Sequence, residues 1–399
     1  MSEPEYALIS IVSEQPMPNV MAVLQDKRYF KYLDFIVSAD KDEPSVYDKS
    51  FEKIYDRLKI FLEKRNRIVT KQRPVYPYSL QDVLNVCQEA VDEHRLKGHE
   101  VVFNITGGTK VMALAAYLCA QRNQAEAIYV ESRDRRLITL LRTDNVVDIV
   151  TNGVPGSKDE PFDESLFHEI DVCSYVELYG RKVVKCVTGF PEEQITRANL
   201  MAQYYKLLRK RFIELRSNFR HQPKAKEEDY FSVDITNVSK REKEGLEVLS
   251  SNGIFFWDSE KSRIYYSKEQ YHFINGIWVE VFTFNSLASS GLFHNVLANV
   301  KLDNSDDEWD VMLTVNATFA IIECKSDAED LNARFGKVRS IQRDLGGTYA
   351  KSFFVRSADD REKKVKQQAA LYGINKVLDR ENMFNLVEEV ARVLNVSIK

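Results

Sequence analysis

The chain has 399 residues, 44% of them hydrophobic, and a formal net charge of −4 at pH 7. That length exceeds what one hydrophobic core ordinarily fills, so two domains are expected. The charge excludes a polycation that coats nucleic acid over its whole surface, and no run of about 18 apolar residues offers a membrane span.

The opening MSEPEYALIS is acidic and has no basic n-region or long apolar core, so no secretory signal is expected. The five cysteines, Cys87, Cys119, Cys173, Cys186 and Cys324, are scattered and never form CxxC pairs. They read as free thiols of a cytoplasmic protein rather than a zinc site or a disulfide framework. His94 and His99 lie in the charged segment DEHRLKGHE, which reads as a solvated helix end rather than a metal pair.

In chain order, YALISIVS (Tyr6 to Ser13) is an apolar run with strand character, and a helical pattern follows from Val20. YLDFIVSA is a second strand, Phe51 to Phe61 a helix, and NRIVTKQ a third strand. Ser79 is an N-cap for the helical segment SLQDVLNVCQEAVDEH. EVVFNIT is a fourth strand, GGT a turn and KVMALAAYLCAQ a helix, before EAIYVES and RRLITLL close the unit. Strands alternating with helices of this length predict a mostly parallel sheet covered by helices on both faces.

In such a sheet ligands bind beyond the carboxyl ends of the strands. Three small polar loops lie there, Ser13 to Asn19, Ser38 to Lys41 and Thr106 to Lys110. Gly107 and Gly108 let backbone amides approach an anion, and the helix opening near Lys110 adds unpaired N–H groups. Thr106 and Thr109 supply hydroxyls and Lys110 a charge. A tight left-handed turn is the bland reading of the glycine pair; the surrounding Asn, Thr and Lys favour a ligand. The loop matches neither GxxxxGK[ST] nor GxGxxG, and no general base or acidic cluster accompanies it, so nucleotide hydrolysis is not expected there.

NITGGTKVMALAAY (Asn104 to Tyr117) resembles the signature loop of CARF domains, the CRISPR-associated Rossmann fold, over roughly residues 1 to 150. The resemblance implies a cyclic oligoadenylate bound at a dimer interface. It implies contacts from Asn104, Thr106, Gly107, Gly108, Thr109 and Lys110, with Ser13 and Glu14 on the first-strand loop. A cyclic ligand with internal two-fold symmetry suits an isologous homodimer.

Residues 144 to 190 are mixed: NGVPGSKDEPFDES reads as an exposed turn-rich stretch and RKVVKCVTG as a strand candidate. Pro191 to Arg220 is helical in pattern. Its extension Tyr204 to Lys226 is basic and aromatic, a solvated helix face or a nucleic-acid contact. KEGLEVLSSNG is a helix stopped at Asn252-Gly253, and IFFWDSEKSRIYYS a hairpin. Helix plus hairpin reads as ordinary packing more readily than as a winged helix.

The chemistry concentrates in DVMLTVNATFAIIECKS (Asp310 to Ser326). With Asn316-Ala317 as a two-residue turn, Val315 pairs with Thr318 and Asp310 falls opposite Glu323. Two carboxylates roughly 4.5–5.5 Å apart repel unless a cation lies between them, and a divalent metal answers that need. The period of two brings Lys325 to the same face and buries Cys324 on the other, leaving its carbonyl for a metal. Such a metal polarises a phosphodiester and activates water, while Lys325 orients that water and balances charge. An edge strand with protective charges is the bland alternative. Glu362-Lys363-Lys364, another acid-x-Lys triplet, reads as solvated helix.

The order of elements around it is αβββαβ: KEQYHFINGIWVEVFTFNSLA, LFHNVLANVKL, the two strands above, EDLNARFGKVRSIQRDLGG and AKSFFVRS. This resembles the core of PD-(D/E)xK nucleases over about residues 265 to 358, although Trp309 stands where the naming proline would be. NGIWVEVF resembles the G-x-W-x-E helix of the subfamily fused to CARF domains. The resemblance implies Glu280 as the helix acid, Asp310 and Glu323 as metal ligands and Lys325 as the catalytic lysine.

The expectation is an α/β protein with a Rossmann-like CARF sensor at 1–150, a partly helical connecting region at 151–235 and a restriction-endonuclease-like αβββαβ domain at 236–399. Sensor followed by nuclease resembles the ancillary nucleases of type III CRISPR systems activated by cyclic tetra-adenylate. A cytoplasmic homodimer, using Mg²⁺ or Mn²⁺ on RNA or DNA, is the implied function. A ring nuclease acting in the N-terminal domain, a ligand-responsive DNA-binding regulator and a constitutive repair nuclease stay open as rivals.

Overall fold

The computed structural model describes residues 4–26, 28–39, 48–131, 136–140, 157–161, 163–220, 230–325, 331–358 and 364–398. Asp40, Lys41 and the triplet residues Glu362 and Lys363 lie outside these, as does the end of the basic stretch beyond residue 220. The chain forms two compact units, Met1–Lys182 with Asp344–Tyr349, and Val183–Arg343 with Ala350–Lys399. The region 151–235 does not stand apart as a connector; its residues divide between the two units.

The N-terminal unit is built on a seven-stranded sheet in the order β3-β2-β1-β4-β5-β6-β7. Its strands are β1 (Tyr6–Ile11), β2 (Tyr32–Ser38), β3 (Ile68–Val75), β4 (Glu100–Asn104), β5 (Glu126–Glu131), β6 (Arg136–Leu140) and β7 (Ser157–Pro161). The first five are parallel and β5, β6 and β7 pair antiparallel. Residues 157–161, read from sequence as exposed turn, are therefore an edge strand. That stretch has no apolar alternation, so only its pairing partner β6 reveals it.

Alternation along β1 sets the layers. Ile9 and Ile11 face the helices Leu80–Leu96 and Lys110–Arg122, sharing a buried cluster with Val83, Cys87, Met112 and Ala116. Ser10 points the other way, toward the helix Met17–Gln25, whose Asn19 donates to the Ser10 hydroxyl at 2.8 Å. Ser79 caps the Leu80–Leu96 helix as expected, accepting from the Asp82 N–H.

His94 and His99 are a correction. Both are buried, with their Nδ1 atoms 3.1 Å apart and the His99 ring stacked on Tyr32 at 4.2 Å. His94 Nε2 lies 3.4 Å from Asp34, and Asp34 is bound by the buried Arg73 at 2.7 Å. Glu93 and the two histidines turn toward the ionic network of Asp34 and Arg73, while Asp92, Arg95, Lys97 and Glu100 are exposed as read from sequence.

The second unit carries a six-stranded sheet in the order β16-β15-β14-β13-β12-β8. These strands are β8 (Val183–Val187), β12 (Asn295–Leu302), β13 (Glu308–Val315), β14 (Thr318–Lys325), β15 (Ala350–Arg356) and β16 (Lys376–Leu378). β12, β13 and β14 form an antiparallel meander, and β15 and β16 continue it in parallel. The αβββαβ order stands as expected, extended by β8 on one edge and β16 on the other.

One face of this sheet is covered by the helix Trp278–Ser289, whose Trp278, Val281, Phe284 and Leu287 are buried with Val311, Ile322 and Cys324. The helix Leu331–Asp344 covers the other, where Phe335 packs edge-on against Phe354 at 5.0 Å. The hairpin β10 (Phe256–Asp258) and β11 (Arg263–Ser267) forms as read, joined by β9 (Tyr230–Asp234) in a small sheet. Its Trp257, Ile264 and Tyr266 share the core of Trp278, which is packing rather than a free wing.

Candidate functional site

In the N-terminal sheet the strand order reverses between β1 and β4, so the loops that leave these two neighbours flank a switch-point crevice. Ser13 and Glu14 follow β1; Ile105 to Thr109 follow β4. Gly107 crosses so close to β1 that a Cβ there would lie 2.3 Å from the Ile11 carbonyl oxygen. Gly108 has φ +73, and a Cβ there would meet the Ile11 side chain at 2.4 Å. Both glycines are thus demanded by backbone approach and conformation, whatever the loop binds.

The loop's polar side chains divide into builders and free groups. Asn104 is fully buried; its amide donates to Ser10 at 2.9 Å and its carbonyl accepts from the Thr106 N–H and hydroxyl at 3.1 and 2.7 Å. The Thr106 hydroxyl also accepts from the Val130 N–H at 2.8 Å. Thr109 caps the Lys110–Arg122 helix, accepting from the Met112 N–H, and donates to the Pro77 carbonyl at 2.6 Å. Ser13 closes a local turn with Gln15. Glu14, Gly108 and Lys110 are exposed. Glu14 and Lys110 are thus the exposed charged groups of the two loops, while Asn104, Thr106 and Thr109 are engaged in holding the loop's shape.

In the second unit, Asn316 and Ala317 both take positive φ, 50 and 58, forming the two-residue turn read from sequence. The ladder runs from Val315↔Thr318 to Val311↔Ile322, the predicted register. It stops one pair short of Asp310, whose carboxylate instead accepts the Cys324 N–H at 2.6 Å. Lys325 Nζ lies 3.2 Å from Glu323 Oε1 and 4.0 Å from Asp310 Oδ2. The three side chains thus meet where the two strands part. Cys324 is buried on the opposite face, under Thr283.

Burial governs the electrostatics. Asp310 is pushed well above the usual carboxylate range by desolvation, reinforced by Glu323 and Glu280. Glu280 is raised to about 7, first by burial and then by Glu323 and Glu308, with Lys325 opposing. Burial by itself would lower Lys325, but Asp310 and Glu323 outweigh it and hold the ammonium above its ordinary range. Glu280 reaches this cluster through field rather than contact. It follows the π-helical turn Phe273–Ile277, an inserted residue that re-aims the helix carrying it.

Two observations bear on a metal. Glu323 Oε1 is buried with Lys325 and Arg334 at ion-pair distance, 3.2 and 3.3 Å, yet accepts no hydrogen bond. An acidic oxygen left so is what a hard cation would take. Among the described residues no three His, Cys, Asp or Glu side chains converge as a ready metal cluster. The set is therefore two carboxylates, Asp310 and Glu323, with the Cys324 carbonyl and water left to complete a shell; it fits Mg²⁺ or Mn²⁺ better than zinc. Arg334, on the Leu331–Asp344 helix, was missed in the sequence. A cation in the first turn of the helix that follows the acidic strand was the available signal.

The model of the Card1 CARF domain matches residues 7–152, and that of the Card1-like endonuclease domain matches residues 267–391. No curated protein matches the sequence. Among solved structures, protein VC1899 from Vibrio cholerae is 18% identical with a TM-score of 0.69, over 97% of this chain and 97% of its own. Can2 from Sulfobacillus thermosulfidooxidans, in complex with cyclic tetra-adenylate, is 19% identical with a TM-score of 0.68, over 98% of this chain and 100% of its own. A type III CRISPR defence DNA nuclease activated by cyclic oligoadenylate is 16% identical with a TM-score of 0.52, over 89% of this chain and 46% of its own. These likenesses establish the fold, and the two domain matches establish the family. The chain belongs to the Card1-type CARF endonucleases, a CARF domain followed by a Card1-like endonuclease domain.

Proposed function

We propose that this protein is a nuclease of type III CRISPR antiviral defence, switched on by cyclic tetra-adenylate, that hydrolyses phosphodiesters in RNA or DNA with Mg²⁺ or Mn²⁺ as a cytoplasmic homodimer. The observation that carries the nuclease reading is the meeting of Asp310, Glu323 and Lys325 where β13 and β14 part. Asp310, Glu323 and the Cys324 carbonyl would hold the ion. Such an ion, when bound, polarises the phosphodiester and lowers the pKa of its water. Lys325 places a positive charge beside both carboxylates, where charge builds on the phosphate in the transition state. Glu280, half-buried behind them, completes the acidic wall.

The sensor reading rests on the CARF match and on Can2, which binds cyclic tetra-adenylate. Lys110 and the amides of Gly107 and Gly108 receive the messenger's phosphates in this reading, one loop from each protomer. Binding drives the switch only if the competent state binds the messenger more tightly.

The test of the nuclease site is cleavage of labelled RNA and DNA in Mg²⁺ or Mn²⁺ with cyclic tetra-adenylate present, against EDTA. Glu323→Ala and Lys325→Ala are each expected to slow cleavage by roughly 10²–10³-fold. Undiminished cleavage by either variant would overturn the assignment. Degradation of the messenger itself by Glu323→Ala would favour a ring nuclease in the N-terminal domain instead.

A further inference from the structure

We propose that Arg334 is a substrate-positioning residue, gripping a phosphate of the nucleic-acid strand next to the bond cleaved at Asp310, Glu323 and Lys325. The proposal rests on the nuclease reading. Three features of the site carry it.

The first is anchorage. Phe335, the next residue, is fully buried and packs on Phe354, which pairs with Glu323 across β14 and β15. That contact fixes the first turn of the helix over the Glu323 face, so Arg334 is held at the mouth of the site. The second is how little of the guanidinium is used. Its Nη1 lies 3.3 Å from Glu323 Oε1, but the side chain stays 44% exposed. Among the described residues Arg334 makes this one ion pair and no hydrogen bond. An arginine serving only as a counterion would engage the carboxylate through its planar fork; here one nitrogen approaches Glu323 and, among the described residues, the rest of the fork is left for a ligand, which a phosphate suits.

The third is charge. Glu280, Asp310 and Glu323 share one acidic site in which Lys325 and Arg334 are the cations at ion-pair distance of Glu323. Without Arg334 that site holds one cation fewer, and an anionic strand would bind less well. Lys325 already lies 3.2 Å from the same Glu323 oxygen, so Glu323 keeps a counterion when Arg334 turns to substrate.

The experiment uses the full chain, wild type, Arg334→Ala and Arg334→Lys, with a short fluorescein-labelled DNA strand and an RNA of the same sequence. With cyclic tetra-adenylate at saturation throughout, strand binding is read in Ca²⁺ by anisotropy, kcat and KM in Mn²⁺, and Mn²⁺ affinity by electron paramagnetic resonance. Arg334→Ala is expected to weaken strand binding and raise KM about tenfold, with kcat changed far less. Arg334→Lys should recover only part of the loss, because a point charge replaces a fork. Mn²⁺ should bind Arg334→Ala at least as tightly as wild type, since a competing cation has gone. The opposite pattern, kcat lost at constant KM with weakened Mn²⁺ binding, would mean that Arg334 merely props Glu323 and would overturn the proposal. So would unchanged strand binding and KM. A wild type that cleaves neither strand would overturn the nuclease reading itself.

Discussion

Glu280 shows most plainly how this site is set against its own charges. Burial raises its carboxyl to about 7, above an exposed glutamate's roughly 4.3. A raised carboxyl contributes stability that is full below the unfolded value and lost as pH rises through the folded one. Glu280→Gln removes that titration. Its melting temperature in EDTA should therefore gain on wild type between about pH 5 and pH 8, by a few degrees; parallel curves would show that Glu280 is not desolvated. Side chains were legible in sequence wherever one strand period placed them, as with Asp310, Glu323 and Lys325. They were not legible where the partner is distant: His94 is buried because Asp34 and Arg73 come from β2 and β3, far from it in the chain.

Among elements, the glycine loop teaches the sharper lesson. Its residues looked like a set of ligand groups, and most of them are masonry: Asn104 ties to Ser10, Thr106 to Val130, Thr109 to Pro77. A loop that offers amides to an anion must satisfy its own polar groups first, so the same residue types serve both readings. Gly107→Ala tests this directly. A Cβ 2.3 Å from the Ile11 carbonyl forces β1 and the loop apart, at a cost of roughly 2–3 kcal/mol. Calorimetry should show the N-terminal transition lowered by several degrees before any messenger is added; an unchanged melt would mean the loop relaxes freely. The β13–β14 register was readable because alternation and a two-residue turn leave one solution. β7 and the docking of β8 on β12 were not, since pairing between distant segments leaves no local trace.

For the whole molecule, two units of different architecture follow from the change in pattern along the chain, strand–helix alternation giving way to an antiparallel meander. That order of CARF and endonuclease domains was visible in sequence; the boundary at residues 182 and 183 was not, because the strand candidate RKVVKCVTG belongs to the later sheet. In the proposed function the N-terminal loop receives a signal and the C-terminal sheet does the chemistry. The rate of metal-dependent strand cleavage with and without cyclic tetra-adenylate, in wild type and Lys110→Ala, separates the two roles. Strong stimulation of wild type is expected, with a messenger requirement shifted at least about tenfold upward in Lys110→Ala and unaltered cleavage at saturating messenger. Cleavage by wild type that ignores the messenger would contradict that function.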